Sequence, residues 1–354
     1  MVGGVAEEDS MAERERRGST LVKACAAVAL LLVASPGRAA EVWLHPVLPA
    51  VPARSAPTPV RRGARPARPA PPASQWPFPT FPSGESSPVE LTSGERYPEA
   101  GSPIAAERID RSLVRLGEGR PMPLTAARPE GAVTRLEATW AGQGLATLAV
   151  LLVPEARTVE AVDFEAFLAE AGAAAAAAER AKRKESKKAA KVVESFSARA
   201  FAGVAPPPRT AAPVDPSAGT DAPLGLPLEI VAGVPPLPVR AGSTFPATVL
   251  LDGRPAAGAT VRAYGVDGSA PAKLTADENG AVSLPLAREG RLLLAAASVR
   301  RTTKADRAKG EAWKRADWEI RRATLELVVL PAVPAPAPAP SPKAKRPAPK
   351  TAPR

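Results

Sequence analysis

Cysteine and histidine are almost missing from this 354-residue chain; each occurs once, as Cys25 and His45. Cys25 lies inside an apolar run that reads as a removable leader, so the mature chain would hold no thiol. That excludes disulfides, thiolate metal sites and cysteine catalysis. A Ser/His/Asp relay has only His45 to serve as its base, and no glycine-framed serine accompanies it. Gly265, Gly268 and Gly280 are separated by strand-like runs and not followed by a helix, so no phosphate-binding loop is present. The neighbouring carboxylates Asp277 and Glu278 fall in a predicted hairpin turn, where solvation is the default. Aromatic residues make up 4% of the chain and are scarce near its cationic runs, which opposes nucleic-acid binding by base stacking. The expectation is a protein without catalytic activity.

Export is read from the N-terminus. Arg14, Arg16, Arg17 and Lys23 precede an apolar run from Ala24 to Ala34, and Ser35-Pro36-Gly37-Arg38-Ala39-Ala40 follows. A charged region, a core too short to span a bilayer and small residues before a cut after Ala39 describe a signal peptide. Met11 gives a tighter leader than Met1 as the start. No second apolar run of spanning length follows, so the expected location is the periplasm or the secreted fraction. The net charge of +11 survives removal of residues 1–39, which hold five Lys/Arg and five Asp/Glu. Much of the excess sits in proline-rich stretches: Arg54, Arg61, Arg62, Arg65 and Arg68, and then Lys343, Lys345, Arg346, Lys350 and Arg354. Outside the cytoplasm such charge meets anionic lipid or cell-wall polymer first; plain solvation is the alternative.

Pattern and punctuation predict a mainly β chain: two immunoglobulin-like antiparallel β-sandwich domains joined by a helical segment, with proline-rich disordered insertions and tail. Residues 40–155 form the first β domain, opened by a strand at Val42-Trp43-Leu44-His45 and interrupted by a proline-rich insertion over 46–90. Runs within 104–153, broken by Gly-Glu-Gly, Pro-Glu-Gly and Gly-Gln-Gly, supply its other strands. Residues 156–204 form the helical segment, since 162–201 is rich in Ala, Glu and Lys and lacks proline. Val162, Phe164, Phe167 and Leu168 give it an apolar face, as Val192, Val193 and Phe196 do later, and Gly172 interrupts it. Its lysine-rich part reads as solvated surface, with a docking surface as the alternative.

A second proline-rich linker, 205–223, leads to a β-sandwich over 224–330. Strands are predicted at Leu226–Val231, Thr244–Leu251, Ala259–Tyr264, Lys273–Thr275, Ala281–Leu286, Leu292–Val299 and Glu319–Leu330. Asp252-Gly253, Asp277-Glu278-Asn279-Gly280 and Glu289-Gly290 mark turns. Trp313 and Trp318 border the last strand as packing residues. Residues 331–354 repeat Pro-Ala before turning basic and read as a stiff, disordered spacer.

The Val-Trp-Leu strand, the helix bearing DFEAFLAEAG, the APLGLPLEIV entry and the core LDGRPAAGATVRAY…TADENGAVSLPLAREGRLLL occur here in one order. Together they resemble a bacterial family catalogued as a domain of unknown function, over about 41–46 and 90–330. Its members are often labelled periplasmic components of nickel or cobalt uptake. The resemblance implies an immunoglobulin- or carboxypeptidase-regulatory-like sandwich for 224–330. It also implies a family histidine at the mature N-terminus, where an α-amino group beside an imidazole chelates divalent metal. Here Ala40 stands at that position, and Ser298 stands at a second family histidine.

The leading expectation is a non-enzymatic binding or scaffold protein of the cell envelope, without cofactor. Its partners would be envelope proteins or anionic cell-wall polymer. The alternative is a soluble nickel- or cobalt-binding component of a transporter, with His45 and Glu41 as the candidate metal ligands. A third is a cell-wall-associated basic protein.

Overall fold

One long strand near the middle of the chain organises the molecule. The computed structural model describes residues 40–47, 80–205, 221–233, 239–266 and 272–332. Over these the protein is mainly β, in three sheets with mostly antiparallel pairing. Residues 1–39, where a leader is expected, residues 48–79 of the expected insertion, residues 206–220 of the expected linker and residues 333–354 of the expected tail lie outside the described residues.

The largest sheet runs in the order β16 (Ala272–Thr275), β15 (Thr260–Gly265), β18 (Gly290–Arg301), β19 (Trp318–Val329), β11 (Ala190–Ala205), β9 (Gly144–Leu152), β5 (Ile109–Leu116), β6 (Met122–Pro123). Two further strands, β2 (Thr80–Pro82) and β10 (Glu155–Val159), pair with the ends of β11. A second sheet runs β1 (Glu41–Pro46), β3 (Ser86–Gly94), β8 (Val133–Thr139), β7 (Thr125–Glu130), with β4 (Ser102–Pro103) on β3. The third joins β12 (Leu228–Ala232), β13 (Thr244–Leu251) and β14 (Arg254–Pro255), with β17 (Ala281–Pro285) also on β13.

The β1-containing and β13-containing sheets pack on the large sheet through separate cores, and β11 serves both. Ala198, Ala200, Ala202 and Val204 enter one core with Val42, Leu44, Val89, Leu136 and Leu148. Phe201 enters the other with Ile230, Phe245, Val249, Leu284, Leu294 and Leu325. Successive strand residues point to opposite faces, so β11 is covered above and below. Each large aliphatic side chain fully withdrawn from water here contributes about 1.5–3 kcal/mol.

The helix expected across 162–201 is present only in part. α1 (Ala161–Glu170) and α2 (Ala174–Lys182) are helical, but Ala190–Ala205 is strand β11. The two expected sandwiches are therefore not joined by a helical segment; they share a sheet. Composition misled because β11 is covered on both faces and lacks the polar alternation of a half-exposed strand. Of the expected apolar helix face, Phe164, Phe167 and Leu168 are buried, whereas Val162 is exposed. The insertion expected over 46–90 also ends earlier, because Thr80–Pro82 and Ser86–Gly94 are strands. Pro88 is tolerated inside β3 because its carbonyl accepts from Val47 N at 3.1 Å, just beyond the end of β1. Its nitrogen faces that same side, where little ladder remains to lose.

All seven strands expected between 226 and 330 are present to within two residues at each end. The β13–β14 turn takes Asp252 at φ 50° and Gly253 at φ 74°, the doubly positive geometry of a tight hairpin.

α1 ends in a Schellman cap. Ala173 N bonds Leu168 O at 2.8 Å and Gly172 N bonds Ala169 O at 3.3 Å, with Gly172 at φ +68°. A Cβ on Gly172 would fall 2.0 Å from Thr260 Oγ1 on β15. This glycine thus lets the helical layer settle on the sheet. Gly172→Ala is expected to destabilise by more than the ~1 kcal/mol of the left-handed backbone alone. Adding Thr260→Ala should recover the excess; thermal unfolding of the two single variants and the double variant measures that coupling.

Candidate functional site

β1 divides its side chains between two environments. Val42 and Leu44 enter the first core, while Glu41, Trp43 and His45 meet residues of the large sheet. Trp43 packs edge-on to Tyr97, with ring centroids 5.5 Å apart, and shares a small cluster with Leu293.

Glu41 anchors the first polar cluster. Its Oε1 accepts from Arg262 Nη2 at 2.5 Å and from Arg322 Nη2 at 2.6 Å. Arg322 Nη1 donates to Glu194 Oε1 at 3.3 Å, and Arg157 closes on Glu194 at 2.8 Å. Arg262 also donates to Glu170 of α1. Arg322 is buried, with its guanidinium over Phe196 at 4.9 Å and Phe167 at 5.5 Å. β15, β19, β11, β1 and α1 therefore meet through alternating charge.

The second cluster surrounds Glu326 of β19. Its Oε1 accepts from Arg291 Nε at 2.8 Å and lies 2.9 Å from His45 Nδ1. Burial pushes the neighbouring Tyr97 phenol well above its ordinary range, and the Glu326 carboxylate adds to the rise. Tyr264 is raised in the same way, by burial first and then by Glu41. Both phenols stay protonated at neutral pH.

His45 and Glu41, the sequence-predicted metal ligands, do lie on one strand but do not converge. Four residues of strand rise separate them by roughly 13 Å. Each faces an arginine-held carboxylate or the arginines themselves, and nearby guanidinium groups oppose a divalent cation. Among the described residues no group of three or more His, Cys, Asp or Glu is placed to hold a metal ion. Ser298 lies on β18 opposite Arg321, and Ala40 is the exposed residue before β1. Sequence reading missed Arg262, Arg322, Glu194, Arg291 and Glu326. Charged residues at alternate positions of a strand read as its solvent face, and nothing in their spacing reveals that β1 covers them.

Two cavities adjoin these elements. A cleft of about 490 Å³ lies between α1 and the start of β1. Ala40, Glu95, Glu160 and Asp163 line it along with the tied pair Glu194 and Arg322. A smaller cavity of about 250 Å³, lined by Val266, Leu284, Leu286 and Leu292, opens at one end of the second sandwich.

Two further buried networks are structural. Arg199 pairs with Asp221 and lies 3.5 Å from Glu229, and its Nη1 donates to Ile230 O at 2.8 Å. This straps residues 221–230 to the large sheet. Burial pushes the Asp221 carboxyl up, against the pull of Arg199. Near the other end, Arg300 donates to both oxygens of Asp306 at 2.7 Å, and Lys309 and Thr303 add bonds at 2.7 Å. Arg300 is the main cause that holds the Asp306 carboxyl far below the usual carboxylate range.

Residues 78–300, well over half of the chain, match the model of the family described as Domain of unknown function (DUF4198). The chain belongs to this family. No curated protein matches it. Among solved structures, Salmonella alpha-2-macroglobulin reacted with methylamine is similar over 85% of this chain, at 12% identity and TM-score 0.19. This chain spans only 15% of that protein's length. The D0-D1 domain of intimin is similar over 71% of this chain and 94% of its own, at 12% identity and TM-score 0.17. The D00-D0 domain of intimin covers 72% and 96%, at 10% identity and TM-score 0.17. Likeness at that level carries no functional conclusion. No helix among the described residues is long and apolar enough to cross a membrane.

Two outcomes follow for these networks. Arg322→Met should cost about 3–5 kcal/mol, because Glu41 and Glu194 are left buried and under-paired. Replacing all three by apolar residues of similar volume should recover most of that loss, as denaturant unfolding of the single and triple variants will show. The Asp306 carboxyl is depressed in the fold, so its contribution is complete above its unfolded pKa of about 4 and is lost as pH falls below that value. Acid titration followed by tryptophan fluorescence should show this loss, and Asp306→Asn should remove it.

Proposed function

We propose that this DUF4198 member is a non-enzymatic binding or scaffold protein of the cell envelope, exported after loss of its leader and working in the periplasm. In this reading the two units are immunoglobulin-like sandwiches, the second of the carboxypeptidase-regulatory kind. The supporting observation is the clamp of Arg322 between Glu41 and Glu194. It fastens the first strand after the leader onto the shared sheet, which suits a rigid body that presents its surface to partners. The only imidazole, His45, is tied through Nδ1 to Glu326, which Arg291 also holds.

The family resemblance suggests service to nickel or cobalt uptake, through contact with envelope proteins or anionic cell-wall polymer. A second reading makes the chain a soluble metal-binding component of such a system. It draws on the resemblance alone, since His45 and Glu41, its candidate ligands, lie on one strand without converging.

Cell fractionation and equilibrium dialysis test the proposal together. The expected outcome is recovery in the periplasmic fraction with a leader cut after Ala39, and nickel and cobalt binding weaker than micromolar. Binding tighter than micromolar that His45→Ala abolishes would replace the scaffold reading by the metal-binding one. Recovery of the processed chain from the cytosol would overturn both.

A further inference from the structure

The parallel pair β11 and β19 starts at one end of the large sheet, where β18 also finishes. Two connections meet there. The first, 183–189, joins α2 to β11, and the second, 302–317, joins β18 to β19. Arg301 Nη1 donates to Glu185 Oε2 at 2.9 Å and Asp317 N bonds Lys191 O at 2.8 Å, so the two lie side by side.

Their charge is strongly one-sided. Residues 182–191 carry six Lys/Arg against Glu185 alone, and residues 300–317 carry seven against Asp306, Glu311 and Asp317. Most of the acids are already engaged: Glu185 with Arg301, Asp306 with Arg300 and Lys309, and Glu311 with Lys314. Lys182, Lys184, Lys187, Lys188 and Lys191 are exposed and pair with no carboxylate among the described residues. Lys304, Arg307 and Arg315 continue the same surface from the second connection, likewise exposed and unpaired.

Two details argue against plain solvation. Lys184 sits at φ 58°, the left-handed C′ position of a Schellman cap in which Glu185 N bonds Arg180 O at 2.9 Å and Lys184 N bonds Ala181 O at 3.0 Å. Glycine fills that position at least cost, so the chain keeps a lysine at the tip of the turn against backbone preference. Trp313 lies half-buried on the short helix α3 (Glu311–Lys314), beside Lys314 and Arg315. Its Nε1 is turned inward and Lys309 lies over its ring at 5.8 Å, so the indole fixes the cations of this excursion in place.

We infer that this basic end docks on an anionic phospholipid surface, orienting the long axis of the shared sheet away from the membrane. Lysine dominates the unpaired set. Its ammonium is a point charge on a flexible stem, matched to mobile headgroup phosphates, whereas fixed planar anions favour the guanidinium fork. The inference deepens the envelope reading and rests on it for its biological setting.

The test uses the purified full chain and sedimentation with vesicles of phosphatidylglycerol and phosphatidylcholine mixed, against phosphatidylcholine alone. The apolar run 24–34, where retained, contributes equally to both. Binding to the anionic vesicles only, weakened as salt is raised, is expected. Each basic residue near such a surface raises partitioning roughly fivefold, so K182E/K184E/K187E/K188E should lower it at least about a hundredfold with thermal unfolding unchanged. The tail variant K343E/K345E/K350E should stay within about tenfold of the parent. Equal binding to both vesicle types overturns the inference, as does a tail variant as weak as the quadruple one. Retention on purified peptidoglycan without vesicle binding overturns it in favour of polymer. These results are independent of fractionation: a cytosolic location sinks the envelope reading while leaving vesicle binding measurable on its own.

Discussion

β11 and β19 run parallel from Val192↔Trp318 to Ala200↔Glu326, and most of the remaining structure is arranged around that contact. Parallel neighbours cannot be joined by a tight turn; they need a crossover. Here the crossover contains the β13-containing sheet and β15, β16 and β18 of the large sheet. The second sandwich is thus built as the excursion between two adjacent strands. Neither unit can be cut from the other without exposing one face of β11, with Ala198, Ala200 and Ala202 on one side and Phe201 on the other. The pairing also depends on contacts far apart in sequence, a topology that folds slowly because loop closure precedes most of the reward.

The buried arginines follow from the same arrangement. β1 pairs with β3 on one side only, and elsewhere it lies against β11 and β19 without a ladder. An open edge invites pairing with foreign strands. Thr324 Oγ1 donates to Val42 O at 2.6 Å, and Glu41 and His45 bracket that point with Arg322, Arg262 and Glu326. A buried ion pair adds little net stability because desolvation offsets attraction. Its effect is on register: a slip of β1 by one residue would send Glu41 and His45 into the apolar core. Charge fixes where β1 sits, while Val42 and Leu44 supply the burial.

The sequence made the second sandwich legible because its strands obey simple chemistry. Asp252-Gly253 specifies a hairpin, and Leu325, Leu327 and Val329 recur every second residue. The half preceding it was less legible for physical reasons. Ala190–Ala205 reads as helix by composition, since a strand covered on both faces uses alanine and serine where space is short. Ser86–Gly94 follows a proline-rich stretch and carries Pro88, so its strand character is masked. His45 and Glu41 were singled out as candidate metal ligands, but a strand separates side chains by about 3.3 Å per residue. Their partners come from β15 and β19, more than two hundred residues away, and no local pattern records that.

The family match ends at residue 300, yet β19 begins at Trp318 and is indispensable to the sheet. Between them lies the connection 302–317. β18 and β19 pair without interruption up to Arg301↔Trp318, so a short turn would have closed the hairpin. The chain instead builds a short 3-10 segment, Asp306–Lys309, and the helix α3, holding them through Arg300 and Asp306. A long connection that costs entropy and carries its own packing is retained where it has a role. Asp306 is buried to hold this excursion in place, while Lys304, Arg307 and Arg315 stay at its surface. The excursion lies against the α2–β11 turn, whose Lys184 takes a backbone conformation that glycine would hold at lower cost. Two separate departures from the least costly local structure thus converge on one end of the sheet, and both leave cations facing outward.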